Sequence, residues 1–119
     1  MRILLGSGGY RTEERKQSLI NEMKDFFGSV SEILFVPYAI ADHDGYVRIM
    51  TEKGFHAGYR LVGIHTFADP AAAVRDAEAI YIGGGNTFRL TRDLYRHGLL
   101  TPIRERIAAG APYMGVSAG

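Results

Sequence analysis

Ala79-Ile80-Tyr81-Ile82-Gly83-Gly84-Gly85-Asn86-Thr87 runs from a short apolar block through three glycines into a polar pair. The block is rich in β-branched and aromatic side chains and is cut off by glycine, which predicts a buried strand. An amphipathic segment from about Thr87 to His97 follows and predicts a helix that stops at Gly98. A strand that passes through a glycine turn directly into a helix is one βα unit, so the rest of the chain is read for more of them.

They are present on both sides. Upstream, Ile33-Leu34-Phe35-Val36 is a continuous apolar run closed by Pro37, the pattern of a strand covered on both faces. Ile3 to Leu5 predicts another buried strand, followed by the loop Gly6-Ser7-Gly8-Gly9-Tyr10, and Tyr59 to Ile64 a third. Between them lie helical patterns. Leu19, Ile20, Met23, Phe26 and Phe27 recur at helical spacing after Thr12-Glu13-Glu14 and stop at Gly28. Asp42 heads a second helix to about Lys53, weakened by Gly45, and Asp69-Pro70 begins a short turn over Ala71 to Arg75. Downstream, Thr101-Pro102 starts a helix that ends near Gly110, and Pro112 to Gly115 is the strand that delivers Ser117. The alternation predicts a single α/β domain over residues 1–119 with a mostly parallel sheet.

The 119 residues suffice for one domain with a real core and are too few for two. The formal charge of +1 gives no broad field for nucleic acid or anionic lipid, so neither partner is expected. The chain has no cysteine, which removes disulfides, Cys-based metal sites and a thiol nucleophile. The N-terminal apolar run is too short for a signal peptide and no stretch reaches the 18 or so apolar residues of a membrane span. A cytoplasmic protein is the expectation.

Two glycine-rich elements and one serine are candidates for chemistry. Gly83 to Gly85 sits between strand and helix, where missing side chains let backbone N–H groups approach an oxyanion or a phosphate; a plain tight turn fits the same residues. Gly6-Ser7-Gly8-Gly9 lacks a dinucleotide fingerprint, because the third glycine would fall at Arg11, and no Gly-Lys-Ser/Thr follows for a phosphate loop. Gly115-Val116-Ser117-Ala118-Gly119 after a predicted strand has the form of a nucleophile elbow. In that reading the Ala118 N–H donates to an oxyanion and Gly84 or Gly85 supplies the second donor from the neighbouring loop. Open α/β sheets bind ligands at the carboxyl ends of their strands, where both elements lie.

Three segments together carry a resemblance: Tyr81-Ile82-Gly83-Gly84-Gly85-Asn86-Thr87-Phe88, Gly98-Leu99-Leu100-Thr101-Pro102-Ile103, and Gly115-Val116-Ser117-Ala118-Gly119. With Phe35-Val36-Pro37-Tyr38-Ala39, Gly63-Ile64-His65 and Asp69-Pro70 in support, the chain resembles peptidase E, the aspartyl dipeptidases of serine peptidase family S51. The resemblance implies a flavodoxin-like three-layer α/β sandwich related to class I glutamine amidotransferases, here ending just after the nucleophile strand. It implies hydrolysis of dipeptides with an N-terminal aspartate, without metal or other cofactor. By it Ser117 is the nucleophile, Gly84, Gly85 and Ala118 form the oxyanion hole, and Asn86 lines the substrate site.

The family's catalytic base, acid and aspartyl-reading residues are expected after the serine, so this stretch matches the N-terminal half of such a domain. None of His43, His56, His65 and His97 falls in a pattern that marks it as the base. Asp42-His43-Asp44 reads as a solvated helix start in preference to a metal cluster, because neighbouring side chains on a helix diverge. Without base and acid the expected loss in turnover is on the order of 10⁶. The alternative expectation is a non-catalytic α/β module that pairs with a second copy or a complementing C-terminal half through an open sheet edge. A weaker third is a phosphate or nucleotide binder using the Gly83 loop.

Overall fold

The computed structural model describes residues 1–6 and 12–116. The strands are β1 (Ile3–Gly6), β2 (Glu32–Val36), β3 (Arg60–Gly63), β4 (Ile80–Ile82) and β5 (Tyr113–Val116). The helices are α1 (Glu13–Phe27), α2 (His43–Glu52), α3 (Pro70–Asp76), α4 (Thr87–Arg96) and α5 (Leu100–Ala108). All the strand pairs are parallel and the sheet order is β1-β5-β4-β2-β3.

Local chemistry sets the helix ends. The Thr12 hydroxyl accepts from the Arg15 amide at 3.2 Å, Asp42 from Gly45 at 3.0 Å, Asp69 from Ala72 at 3.1 Å and Asn86 from Arg89 at 3.0 Å. Each satisfies an amide the first helical turn leaves unpaired. Gly45, which costs α2 helix propensity, has its own reason: a Cβ there would fall 2.1 Å from the Asp42 carboxylate that caps the helix. At the far ends, Gly28 and Gly98 take left-handed backbone at φ +60° and +61°, which glycine adopts without a Cβ penalty.

Period-2 alternation sorts each central strand between two cores. Ile33 and Phe35 of β2, Tyr81 of β4 and Met114 of β5 pack with Leu19, Met23 and Phe27 of α1 and Met50 of α2. Leu34 and Val36, Ile80 and Ile82, and Tyr113 face the other way, onto Val74 of α3, Leu90 of α4 and Ile103 of α5. The result is three layers with the sheet in the middle. β2 to β5 follow the flavodoxin-like order of one strand flanked by its successors, and the N-terminal strand adds beyond β5.

Two expectations need correction. Ile3 to Leu5 is not a buried strand: Leu4 turns half-buried toward α1, while Ile3 is 46% and Leu5 73% exposed. Among the described residues β1 pairs only with β5, and no described helix covers its second face. The third strand also ends early, because the Thr66 hydroxyl donates to Gly63 O at 2.7 Å and turns Ile64–Thr66 into a 3₁₀ turn. No described helix is long and apolar enough to cross a membrane.

This asymmetry is measurable in urea titrations. Met23 is fully buried, so Met23→Ala is expected to cost about 2–5 kcal/mol through lost contacts and a cavity. Leu5→Ala is expected to stay within about 0.5 kcal/mol of the parent.

Candidate active site

The chain reverses its direction of travel across the sheet between β2 and β4, since β3 lies to one side of β2 while β4 and β5 lie to the other. The loops leaving the carboxyl ends of such a strand pair diverge and leave a crevice, which is where open α/β sheets bind ligands. Here those loops are Pro37–Ile40 and Gly83–Asn86. Backbone hydrogen bonds join them: Gly83 N–H to Val36 O at 3.1 Å, and Asn86 N–H to Ala39 O at 2.9 Å.

The approach is close enough to require glycine twice. A Cβ on Gly83 would lie 2.5 Å from Tyr46 Oη and 2.7 Å from Phe35 Cζ. Gly85 has φ +145°, and a Cβ there would meet Ala39 O at 2.8 Å. Between them Gly84 offers its carbonyl to the Tyr46 hydroxyl, which donates at 2.8 Å. The Tyr46 ring meets Phe35 edge-on at 5.1 Å, and burial raises its phenol pKa, so the hydroxyl keeps its proton. No described residue accepts a hydrogen bond from the Gly84 or Gly85 amide. The loop is therefore a braced, partly exposed pair of donors rather than a slack turn.

Asn86 is exposed and its side-chain oxygen caps α4, which leaves its amide NH₂ as the group able to reach a ligand. β5 arrives alongside: Gly115 is level with Ile82, and Val116 is level with Gly6. Val116 immediately precedes Ser117 in sequence; Ser117 and Ala118 lie outside the described residues. Tyr46 was not a sequence-level candidate. Its signal, an aromatic four residues before the core residue Met50 on one helix face, looks like ordinary packing.

The four histidines belong to elements other than β5. His65 follows β3, three strand steps from β5, which at a spacing of about 4.8 Å amounts to roughly 14 Å. That is too far for hydrogen-bond contact with a group at the end of β5. His56 Nδ1 accepts from Gly58 N–H in the turn after α2, and His97 closes α4. Asp42 is a cap and Asp44 pairs with His65, so the Asp42-His43-Asp44 run diverges as its helical position requires. Among the described residues no group of three or more His, Asp or Glu side chains could hold a metal ion. A separate hollow of about 230 Å³ beside α3, rimmed by Glu32, Asp69, Asp76 and Glu78, shares no residue with the glycine loop.

Comparison with known proteins bears on this edge of the sheet. The model of peptidase family S51 matches residues 2–119. A Drosophila melanogaster protein described as a probable alpha-aspartyl dipeptidase is 46% identical over 101 residues, covering 82% of this chain and 42% of the relative. Peptidase E of Streptomyces coelicolor is 40% identical over 100 residues, covering 84% of this chain and 41% of its own. A crystal structure of a candidate peptidase E from Listeria monocytogenes EGD-e superposes with a TM-score of 0.73 at 27% identity, over 98% of this chain and 58% of that one. The chain thus spans less than half of the two sequence relatives.

Beside the crevice, Tyr38, His43, His65 and His97 form a ring cluster. The Tyr38 ring lies 5.5 Å from both His43 and His97, and His43 lies 5.5 Å from His65. His65 Nε2–H donates to Asp44 Oδ1 at 2.6 Å, while its buried Nδ1 has no partner among the described residues. Burial, reinforced by the Asp93 charge, pushes the Tyr38 phenol up to about 12. Burial and the neighbouring His65 lower the His43 pKa, against the opposing pull of Asp93, Asp44 and Asp42.

A histidine whose pKa is lower folded than unfolded takes up its proton more readily in the unfolded chain. The stability from neutral His43 is therefore present above about pH 6.5 and is lost as pH falls from there toward the folded value. The His43 ring is expected to titrate below the ordinary imidazole range by NMR. His43→Gln is expected to flatten the drop in melting temperature between pH 7 and pH 5.

Proposed function

The chain belongs to peptidase family S51, and on that premise we propose that it supplies the nucleophile and oxyanion hole of a serine dipeptidase acting on N-terminal aspartyl peptides. The observation that carries this reading is the braced Gly83–Gly85 loop at the carboxyl edge, level with the end of the strand that leads into Ser117. Ser117 Oγ attacks the peptide carbonyl as a base removes its proton, forming the C–O bond and a tetrahedral oxyanion. The amides of Gly84 or Gly85 and of Ala118 hold that oxygen. Collapse of the intermediate breaks the C–N bond as the same base returns its proton to the leaving amine; water, activated by that base, then cleaves the acyl-serine ester, releasing the acid and restoring the Ser117 hydroxyl. Asn86 lines the substrate site through its free NH₂. The base and acid come from the part of the relatives' length that lies beyond the matched half, since His65, on the turn after β3, stands three strands from β5. Aspartyl selectivity is inferred from the relatives' descriptions.

The test is Ser117→Ala assayed on Asp-Leu in the protein together with any chain that follows Gly119. Hydrolysis is expected to fall by about 10⁶, to background. A variant that still turns over Asp-Leu near the parental rate overturns the assignment of the nucleophile.

A second reading has its own observation. Exposed Ile3 and Leu5 on β1, with an outer edge unpaired among the described residues, suit addition of a strand from a second copy or a complementing half. If this edge drives self-association, the 119-residue chain sediments as a dimer at micromolar concentration and Leu5→Lys returns it to a monomer. A parent that is already monomeric removes self-association through this edge.

A further inference from the structure

We infer that Tyr46 is a positioning residue for the oxyanion hole, acting through the peptide plane between Gly84 and Gly85. The inference rests on the oxyanion-hole reading above and extends it to a residue on a different element. Its basis is the geometry of a trans peptide. The described chain has no cis bond, so the carbonyl of Gly84 and the N–H of Gly85 share one plane and point in opposite directions. Whatever fixes one fixes the other.

The Tyr46 hydroxyl, 2.8 Å from Gly84 O, draws that carbonyl toward α2. The Gly85 N–H is then aimed away from α2, toward the exposed side of the loop. Glycine on both sides makes the plane otherwise easy to rotate: Gly85 already sits at φ +145°, and neither residue has a Cβ to resist a flip. The flanking bonds, at Gly83 N–H and Asn86 N–H, hold the loop ends but not this central peptide. Tyr46 is itself held. Its ring packs edge-on against Phe35, and its hydroxyl fills the space that a side chain on Gly83 would take. An oxyanion donor contributes through its aim before the charge appears, so a rigid phenol behind the peptide is a direct means of preorganisation.

Tyr46→Phe keeps the ring contact and deletes the hydroxyl. In the ¹⁵N-labelled chain, the N–H dipolar coupling of Gly85 is expected to change while couplings in β4 and α4 hold. An unchanged Gly85 coupling overturns the inference. Gly83→Ala supplies a second route, since the added methyl displaces the phenol while leaving it in the chain, and it is expected to move the same coupling. In the protein carrying any chain after Gly119, Tyr46→Phe is expected to lower kcat on Asp-Leu about tenfold to a hundredfold with KM unchanged. A rise in KM alone, or an unaltered kcat, also overturns the role. If the parent itself does not cleave Asp-Leu, the peptidase reading fails, and the dipolar couplings still decide whether Tyr46 aims the Gly85 amide.

Discussion

Two backbone hydrogen bonds, from Gly83 to Val36 O and from Asn86 to Ala39 O, lash the exit loops of β2 and β4 together at the point where the chain reverses across the sheet. Loops at such a point normally part, and the space between them is the ligand crevice of the architecture. Here the parting is limited to the two residues that the bonds bracket, Gly84 and Gly85. A Cβ on Gly85 would run into the Ala39 carbonyl of the facing loop, and one on Gly83 into the Tyr46 and Phe35 rings beneath it. Gly83 and Gly85 are thus packing requirements first. The same bond at Asn86 sets where α4 begins, because Asn86 both closes the loop and caps the helix.

That constraint depends on the two cores beneath it. β2 and β4 lie in the middle of the sheet, with alternate side chains buried on both faces. Buried neighbours on each side fix the register of a strand, since a one-residue slip would exchange its two faces. The loops that leave these strands therefore start from fixed points. β1 is in the opposite position, covered on one face and paired on one edge among the described residues. Precision at the candidate site is concentrated where burial is two-sided.

Much of this was legible in sequence, for reasons that are local. Thr12, Asp42, Asp69 and Asn86 cap helices through bonds to amides three residues away, and Gly28 and Gly98 end helices through their own φ, so short windows of sequence contain both partners. Ile33 to Val36 read as two-face-buried because it is. Ile3 to Leu5 gave the same apolar signal and is half-exposed, because a run of apolar residues records composition and not which strand becomes the edge. Tyr46 escaped notice because its partner Gly84 is 38 residues away, and no spacing rule on α2 distinguishes a core aromatic from one that bonds a distant carbonyl. His65 and Asp44 are paired across 21 residues and were equally hidden as a pair.

By itself, then, the order of residues determined the α/β class, the helix ends, the glycine loop after β4 and the membership of family S51, because each rests on short-range patterns or on resemblance between sequences. Tertiary structure alone decided that β1 lies at an edge, that His43, His65 and His97 gather with Tyr38, and that a phenol on α2 grips the peptide between Gly84 and Gly85. The physical reason is that strand order and cross-element hydrogen bonds are properties of distance through space, and parallel crossovers bring together residues whose separation along the chain carries no mark of it.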